Sequence, residues 1–124
     1  METIKKKKIL VIEDEFGIQE MLKDFLIDTG FEVIVANDGE EGIEKVYKEY
    51  PDIVLLDCQM PKMDGYEVWK ELKNIDNDIS KKILIMTGYD MTGKSTEMLT
   101  QGCYLINKPF QVEEFSRKIK EVLN

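Results

Sequence analysis

Five short apolar, β-branched runs punctuate the chain: Ile9 to Ile12, Val33 to Ala36, Ile53 to Leu56, Ile83 to Met86 and Cys103 to Ile106. Runs this short and this continuous are the pattern of strands covered on both faces. Between them the apolar period changes to that of a helix. Ile18, Met21, Leu22, Phe25 and Leu26 form one stripe, and Gly30 follows where a helix end takes a left-handed residue. Ile43, Val46, Tyr47 and Tyr50 mark a second helix, capped by Asn37 or Asp38 and stopped by Pro51. Val68, Leu72 and Ile75 mark a third; Val112, Phe115, Ile119 and Val122 mark the last. The segment from Thr92 to Thr100 is weaker, because only Met98 and Leu99 are apolar there and Gly93 costs about 1 kcal/mol inside a helix. It is the element suited to rearranging.

Strands alternating with helices predict an α/β fold: one doubly wound, five-stranded parallel sheet covered on both faces by five helices, with right-handed crossovers. Residues 1–124 form one domain, without a repeat, a linker or a low-complexity stretch. In open sheets of this kind ligands bind outside the carboxyl ends of the strands. The polar residues at those ends are therefore the candidates for function.

Composition removes several alternatives. A net charge of −8 opposes binding to DNA or RNA, whose backbone is recognised by clustered Lys and Arg. The basic run Lys5 to Lys8 reads as a solvated lead into the first strand. No stretch approaches the roughly 18 apolar residues of a membrane span, and the N-terminus lacks the apolar core of a secretory signal, so a cytoplasmic protein is expected. Cys58 and Cys103, each in an apolar run and with no His in the chain, read as reduced packing residues and not as a disulfide or zinc pair.

The predicted strand ends carry acids, a hydroxyl and a lysine: Glu13, Asp14 and Glu15 after the first, Asp57 after the third, Thr87 after the fourth, and Lys108 after the fifth. These residues are far apart in sequence, yet the topology brings them to one rim. Carboxylates gathered there raise one another's pKa unless a cation intervenes. Mg²⁺ suits the donor set, Asp14 and Asp57 with Glu13 behind, since it takes one or two carboxylates together with waters and a phosphate. A carboxylate beside such an ion can attack phosphorus and form an acyl phosphate. Lys108 would pair with a phosphoryl oxygen, and Thr87 would donate a hydrogen bond to another only when phosphate is present. Singly, each residue is an ordinary cap, strand end or turn; together they make a site.

The motifs ILVIEDE, LLDCQMPKMDG, ILIMTG and NKPF resemble the receiver domain of two-component response regulators over essentially the whole chain. The resemblance implies a flavodoxin-like sheet of order 2-1-3-4-5. It implies that Asp57 accepts a phosphoryl group from a phosphohistidine on a sensor histidine kinase or phosphotransfer protein. Mg²⁺ would be held by Asp14, Asp57 and the backbone carbonyl of Gln59, with Glu13 acting through a coordinated water. Met60, Pro61, Met63, Asp64 and Gly65 match positions that shape the loop after the third strand, and Gly65 starts a helix. A cis bond before Pro109 is implied, for which X-Pro bonds carry a low penalty. Gln59 and Tyr89 match positions that tune slow self-dephosphorylation. The protein would be a phospho-accepting signalling protein without an output domain, not an enzyme acting on a separate substrate. It would bind its target through the fourth helix, fifth strand and fifth helix, or relay the phosphoryl group to another protein's His.

Two features depart from the family pattern. Glu13 replaces the commoner first Asp. The spacing from Gly102 to Lys108 is one residue short, so the position three before Lys108, usually aromatic, is Leu105, while Tyr104 stands four before. A shift of one places a side chain on the opposite face, which leaves open a bulge that recovers Tyr104 or a switch without a rotating ring.

A rival motif is present. Gly88 to Ser95, GYDMTGKS, matches the phosphate-binding pattern G-x-x-x-x-G-K-[ST]. It would make Lys94 a phosphate ligand, with Ser95 and Asp57 on Mg²⁺, but would leave the Asp57 and Lys108 constellation unexplained. An aspartate-nucleophile phosphatase would show Asp-x-Asp, where this chain has Asp57-Cys58-Gln59. A degenerate receiver serving only as a binding module would lack the intact set.

Overall fold

The computed structural model describes residues 6–88 and 94–124. Five strands, β1 (Lys8–Ile12), β2 (Glu32–Ala36), β3 (Ile53–Asp57), β4 (Ile83–Thr87) and β5 (Tyr104–Asn107), form one parallel sheet in the order β2-β1-β3-β4-β5. The helices are α1 (Phe16–Thr29), α2 (Gly39–Glu49), α3 (Gly65–Ile75), α4 (Asn77–Ser80), α5 (Lys94–Thr100) and α6 (Val112–Leu123). Among the described residues six helices stand where five were expected. The additional one, α4, is a single turn whose N-cap Asp76 accepts a hydrogen bond from the Asp78 N–H; four residues are too few to show a 3.6-residue period.

The strands alternate between two cores, as the two-residue period of a strand demands. Leu10, Ile12, Val54, Leu56, Ile83 and Ile85 join Val46, Val68, Trp69, Leu72 and Met98 on the α2, α3 and α5 side. Ile9, Val11, Ile53, Leu55, Leu84 and Met86 join Leu22, Leu26, Phe115 and Ile119 on the α1 and α6 side. The helix ends follow local chemistry. Gly30 closes α1 at a φ of 108°, and Asp38, one of the two candidate caps, accepts from the Glu41 N–H. Asp64 and Glu67 form a reciprocal capping box at the start of α3. Tyr50, expected on the apolar stripe of α2, ends that helix in a left-handed conformation and is exposed. Tyr47 and Met21 are exposed as well.

Both cysteines are free and buried, and burial pushes the Cys103 thiol up to about 12, which keeps it protonated and inert. Among the described residues no helix is long and apolar enough to cross a membrane.

Candidate functional site

The order of the sheet reverses at β1, which lies between β2 and β3. Outside its carboxyl end, where ligands of doubly wound sheets bind, Glu13 and Asp14 follow β1 and Asp57 ends β3. One carboxylate oxygen from each of these three lies within 4.8 Å of the others. The turn of the loop after β1 gives the two adjacent acids different surroundings. Glu13 is fully buried and Asp14 is exposed.

Glu13 has one oxygen satisfied, since Oε1 accepts from the Glu15 N–H at 3.1 Å. Its buried Oε2 has no hydrogen-bond partner among the described residues. Burial pushes the Glu13 pKa up to about 7; the Glu15 N–H opposes this, and the negative charge of Asp57 adds to it. An orphaned buried carboxylate oxygen beside two further carboxylates is a set of hard donors whose three acids are faced by one ammonium, that of Lys108, among the described residues. These residues fit Mg²⁺, which would reverse the electrostatic cost of their crowding.

Asp57 is 3% exposed, and its Oδ1 accepts from the Lys108 ammonium at 2.9 Å and from the Gln59 N–H at 3.3 Å. Lys108 reaches it from beyond β5, where its own N–H donates to the Thr87 carbonyl at 2.6 Å. The Lys108–Pro109 bond is cis. Thr87 ends β4, buried, in register with Asn107. The sequence-named residues Glu13, Asp14, Asp57, Gln59, Thr87 and Lys108 are thus gathered at one rim.

The loop after β3 is held close to the site. Lys62 sits at a φ of 70°, bridged by a Met63 N–H donated to the Pro61 carbonyl at 2.8 Å, a tight turn that reverses the chain toward α3. Gly65 then donates to the Cys58 carbonyl at 3.1 Å. A Cβ at Gly65 would lie 2.9 Å from the Cys58 Cα and 3.0 Å from the Asp57 carbonyl oxygen, both backbone atoms that cannot swing aside. Gly65→Ala is therefore expected to displace the loop and to cost about 1–3 kcal/mol, measured by urea denaturation.

Register settles the aromatic position. Tyr104 pairs with Leu84 and packs against the α1 and α6 core, while Leu105 pairs with Ile85. The β4–β5 ladder runs without a bulge from Leu84–Tyr104 to Thr87–Asn107. The face carrying Thr87, two residues beyond Ile85, therefore carries Leu105 and not Tyr104.

In the rival motif, Tyr89 to Gly93 and the Ser95 side chain lie outside the described residues. Lys94 begins α5, its ammonium 3.8 Å from the Asp64 carboxylate and 5.1 Å above the Tyr66 ring. The Tyr89 position, expected to tune self-dephosphorylation, also lies outside them.

One residue near the site escaped the sequence reading. Gln19, on α1, is 5% exposed and donates from Nε2 to the Glu13 carbonyl and to Asn37 Oδ1. The available signal was its spacing, since Gln19, Leu22 and Leu26 are the buried residues of α1 and lie on one stripe.

Residues 9–120 match the family model of the response regulator receiver domain. Sporulation initiation phosphotransferase F of Bacillus subtilis is 37% identical over 122 residues, covering 94% of each chain. A probable transcriptional regulator of Cyanophora paradoxa is 38% identical over 120 residues, which are 97% of this chain and 49% of that protein. The chain thus spans about half the length of several regulators it matches. Among solved structures, Vibrio cholerae chemotaxis protein CheY4 superposes with a TM-score of 0.84 at 30% identity, covering 96% of this chain and 100% of that one.

Proposed function

From the membership of this chain in the response regulator receiver domain family, we propose that Asp57 accepts a phosphoryl group from a phosphohistidine donor in a Mg²⁺-dependent reaction. The observation that carries the reading is the buried Asp57 carboxylate, held 2.9 Å from the Lys108 ammonium and grouped with Glu13 and Asp14. Asp14, Asp57 and the Gln59 carbonyl would hold the ion, with Glu13 behind them. Mg²⁺ supplies charge neutralisation on the equatorial phosphoryl oxygens.

A carboxylate oxygen of Asp57 attacks phosphorus, the P–N bond to the donor imidazole breaks, and the bonding pair stays on that nitrogen. Lys108, already at Asp57 Oδ1, pairs with a phosphoryl oxygen as negative charge arrives there. The Thr87 hydroxyl, at the end of the neighbouring strand, donates to another. With Leu105 on the Thr87 face, the response of Thr87 is transmitted without a rotating aromatic ring. A sensor histidine kinase or histidine phosphotransfer protein is the donor, and the output passes through the face of α5, β5 and α6 or by relay to a further His.

Acetyl phosphate with MgCl₂ tests the reading. The expected result is a mass gain of one phosphoryl group, abolished by chelating the metal and reversed by hydroxylamine, which cleaves acyl phosphates. No gain at saturating MgCl₂ would overturn it. ATP binding that depends on Lys94 would instead favour the rival phosphate-binding loop. Lys108→Met is expected to slow phosphorylation about a hundredfold, the usual effect of removing one preorganised donor to a developing charge. The rate of phosphoprotein formation at saturating MgCl₂ is the measurement; a rate near that of the parent would remove Lys108 from the mechanism.

A further inference from the structure

The acidic pair after β1 needs its backbone held, because Glu13 and Asp14 leave a strand and enter a loop before α1. The backbone of Glu13 is gripped at both of its polar groups. The Glu13 N–H donates to the Ala36 carbonyl of β2 at 3.1 Å, and the Glu13 carbonyl accepts from Gln19 Nε2. The same Gln19 nitrogen reaches Asn37 Oδ1 at 2.9 Å. Asn37 donates from its backbone N–H and from Nδ2 to Glu41 Oε2, each at 3.1 Å. Glu41 pairs with Lys45 at 3.2 Å, and the Lys45 ammonium donates to the Val35 carbonyl at 2.6 Å. A chain of polar contacts therefore runs from the Glu13 carbonyl, across the loop after β2, and back to the backbone of β2.

A buried amide in a helix otherwise packed by Leu22 and Leu26 is costly unless its hydrogen bonds are made. Here both go to groups that define the acidic loop and its neighbour. We propose that Gln19 is the positioning residue of the acidic site: its amide fixes the Glu13–Asp14 peptide and locks it to the loop after β2 through Asn37. The carboxylates are thereby presented in one arrangement to a divalent cation, on the reading that the site takes Mg²⁺ as proposed above. Gln19 touches neither ion nor phosphoryl group and acts through the backbone that carries the ligands.

The test is a calorimetric titration of the full chain with MgCl₂ alone, repeated for Gln19→Met, which keeps the volume and removes the donor, and for Asn37→Ala. Asn37 is exposed, so its variant keeps the fold while freeing one arm of the Gln19 fork. Loss of a group that orients metal ligands lowers affinity about tenfold or more, and that weakening is expected in Gln19→Met, with a smaller one in Asn37→Ala. The acetyl phosphate rate is expected to fall at low MgCl₂ and to return to the parent value at saturating MgCl₂, a split that a general loss of structure does not produce. Unchanged Mg²⁺ affinity in folded Gln19→Met, or in Asn37→Ala where Gln19→Met does not fold, overturns the role of Gln19. A parent chain that binds Mg²⁺ but gains no phosphoryl group overturns the phosphorylation reading and leaves the role of Gln19 to the titration.

Discussion

Asp57→Asn is expected to abolish phosphoryl acceptance while leaving the fold intact. The carboxamide has the shape of the carboxylate, and its oxygen can still accept from the Lys108 ammonium and the Gln59 N–H, so both present contacts survive. What it lacks is an anionic oxygen able to form the acyl phosphate. The substitution also removes one of three crowded carboxylates, one whose charge helps hold the Glu13 pKa above its ordinary value. No structural collapse should accompany the loss of function. The measurement is intact mass after acetyl phosphate and MgCl₂, beside a circular dichroism spectrum. Persistence of the full mass gain in Asp57→Asn would transfer the acceptor role to another residue and sink the assignment.

The largest expected loss of stability belongs to Trp69→Ala. Trp69 is fully buried on α3, packed in the core on the α2, α3 and α5 side of the sheet. Its ring lies 5.7 Å from that of Tyr66, with the Lys73 ammonium 5.2 Å above it. Truncating a fully buried Trp costs about 3–5 kcal/mol, transfer and cavity terms together. Domains of this size hold about 5–15 kcal/mol in total, so the variant would lose a large share of its stability. Urea denaturation should show a much lower midpoint at an unchanged slope. Trp69→Phe is expected to cost far less, because the indole Nε1 has no hydrogen-bond partner among the described residues to lose. A Trp69→Ala protein within about 1 kcal/mol of the parent, an ordinary substitution effect, would contradict this packing.

The three central strands, β1, β3 and β4, were legible because their burial is two-sided. Ile9 to Ile12, Ile53 to Leu56 and Ile83 to Ile85 are all fully buried, and such strands leave no polar position to interrupt the run. Helix α1 was legible in extent and C-terminus but less so in face. Met21 and Gln19 exchange the places their polarity suggests, one exposed and the other buried, because the Gln19 amide finds two acceptors, the buried Glu13 carbonyl and Asn37 Oδ1. Helix α4 escaped because one turn carries no period. The acidic pair was legible as a pair, whereas the burial of Glu13 beside an exposed Asp14 followed from where the loop turns after β1.

By itself the sequence determined the α/β architecture and named Asp57, Asp14 and Lys108, which the folded sheet gathers at one rim. Residue type and local period carry that information directly. The tertiary structure alone decided that Leu105 shares the Thr87 face, that the bond before Pro109 is cis, and that Gln19 ties the acidic loop to Asn37. Each of these depends on strand register or on contacts between distant segments. A local pattern indicates which side of an element a residue occupies; only the packed sheet determines which group meets it there.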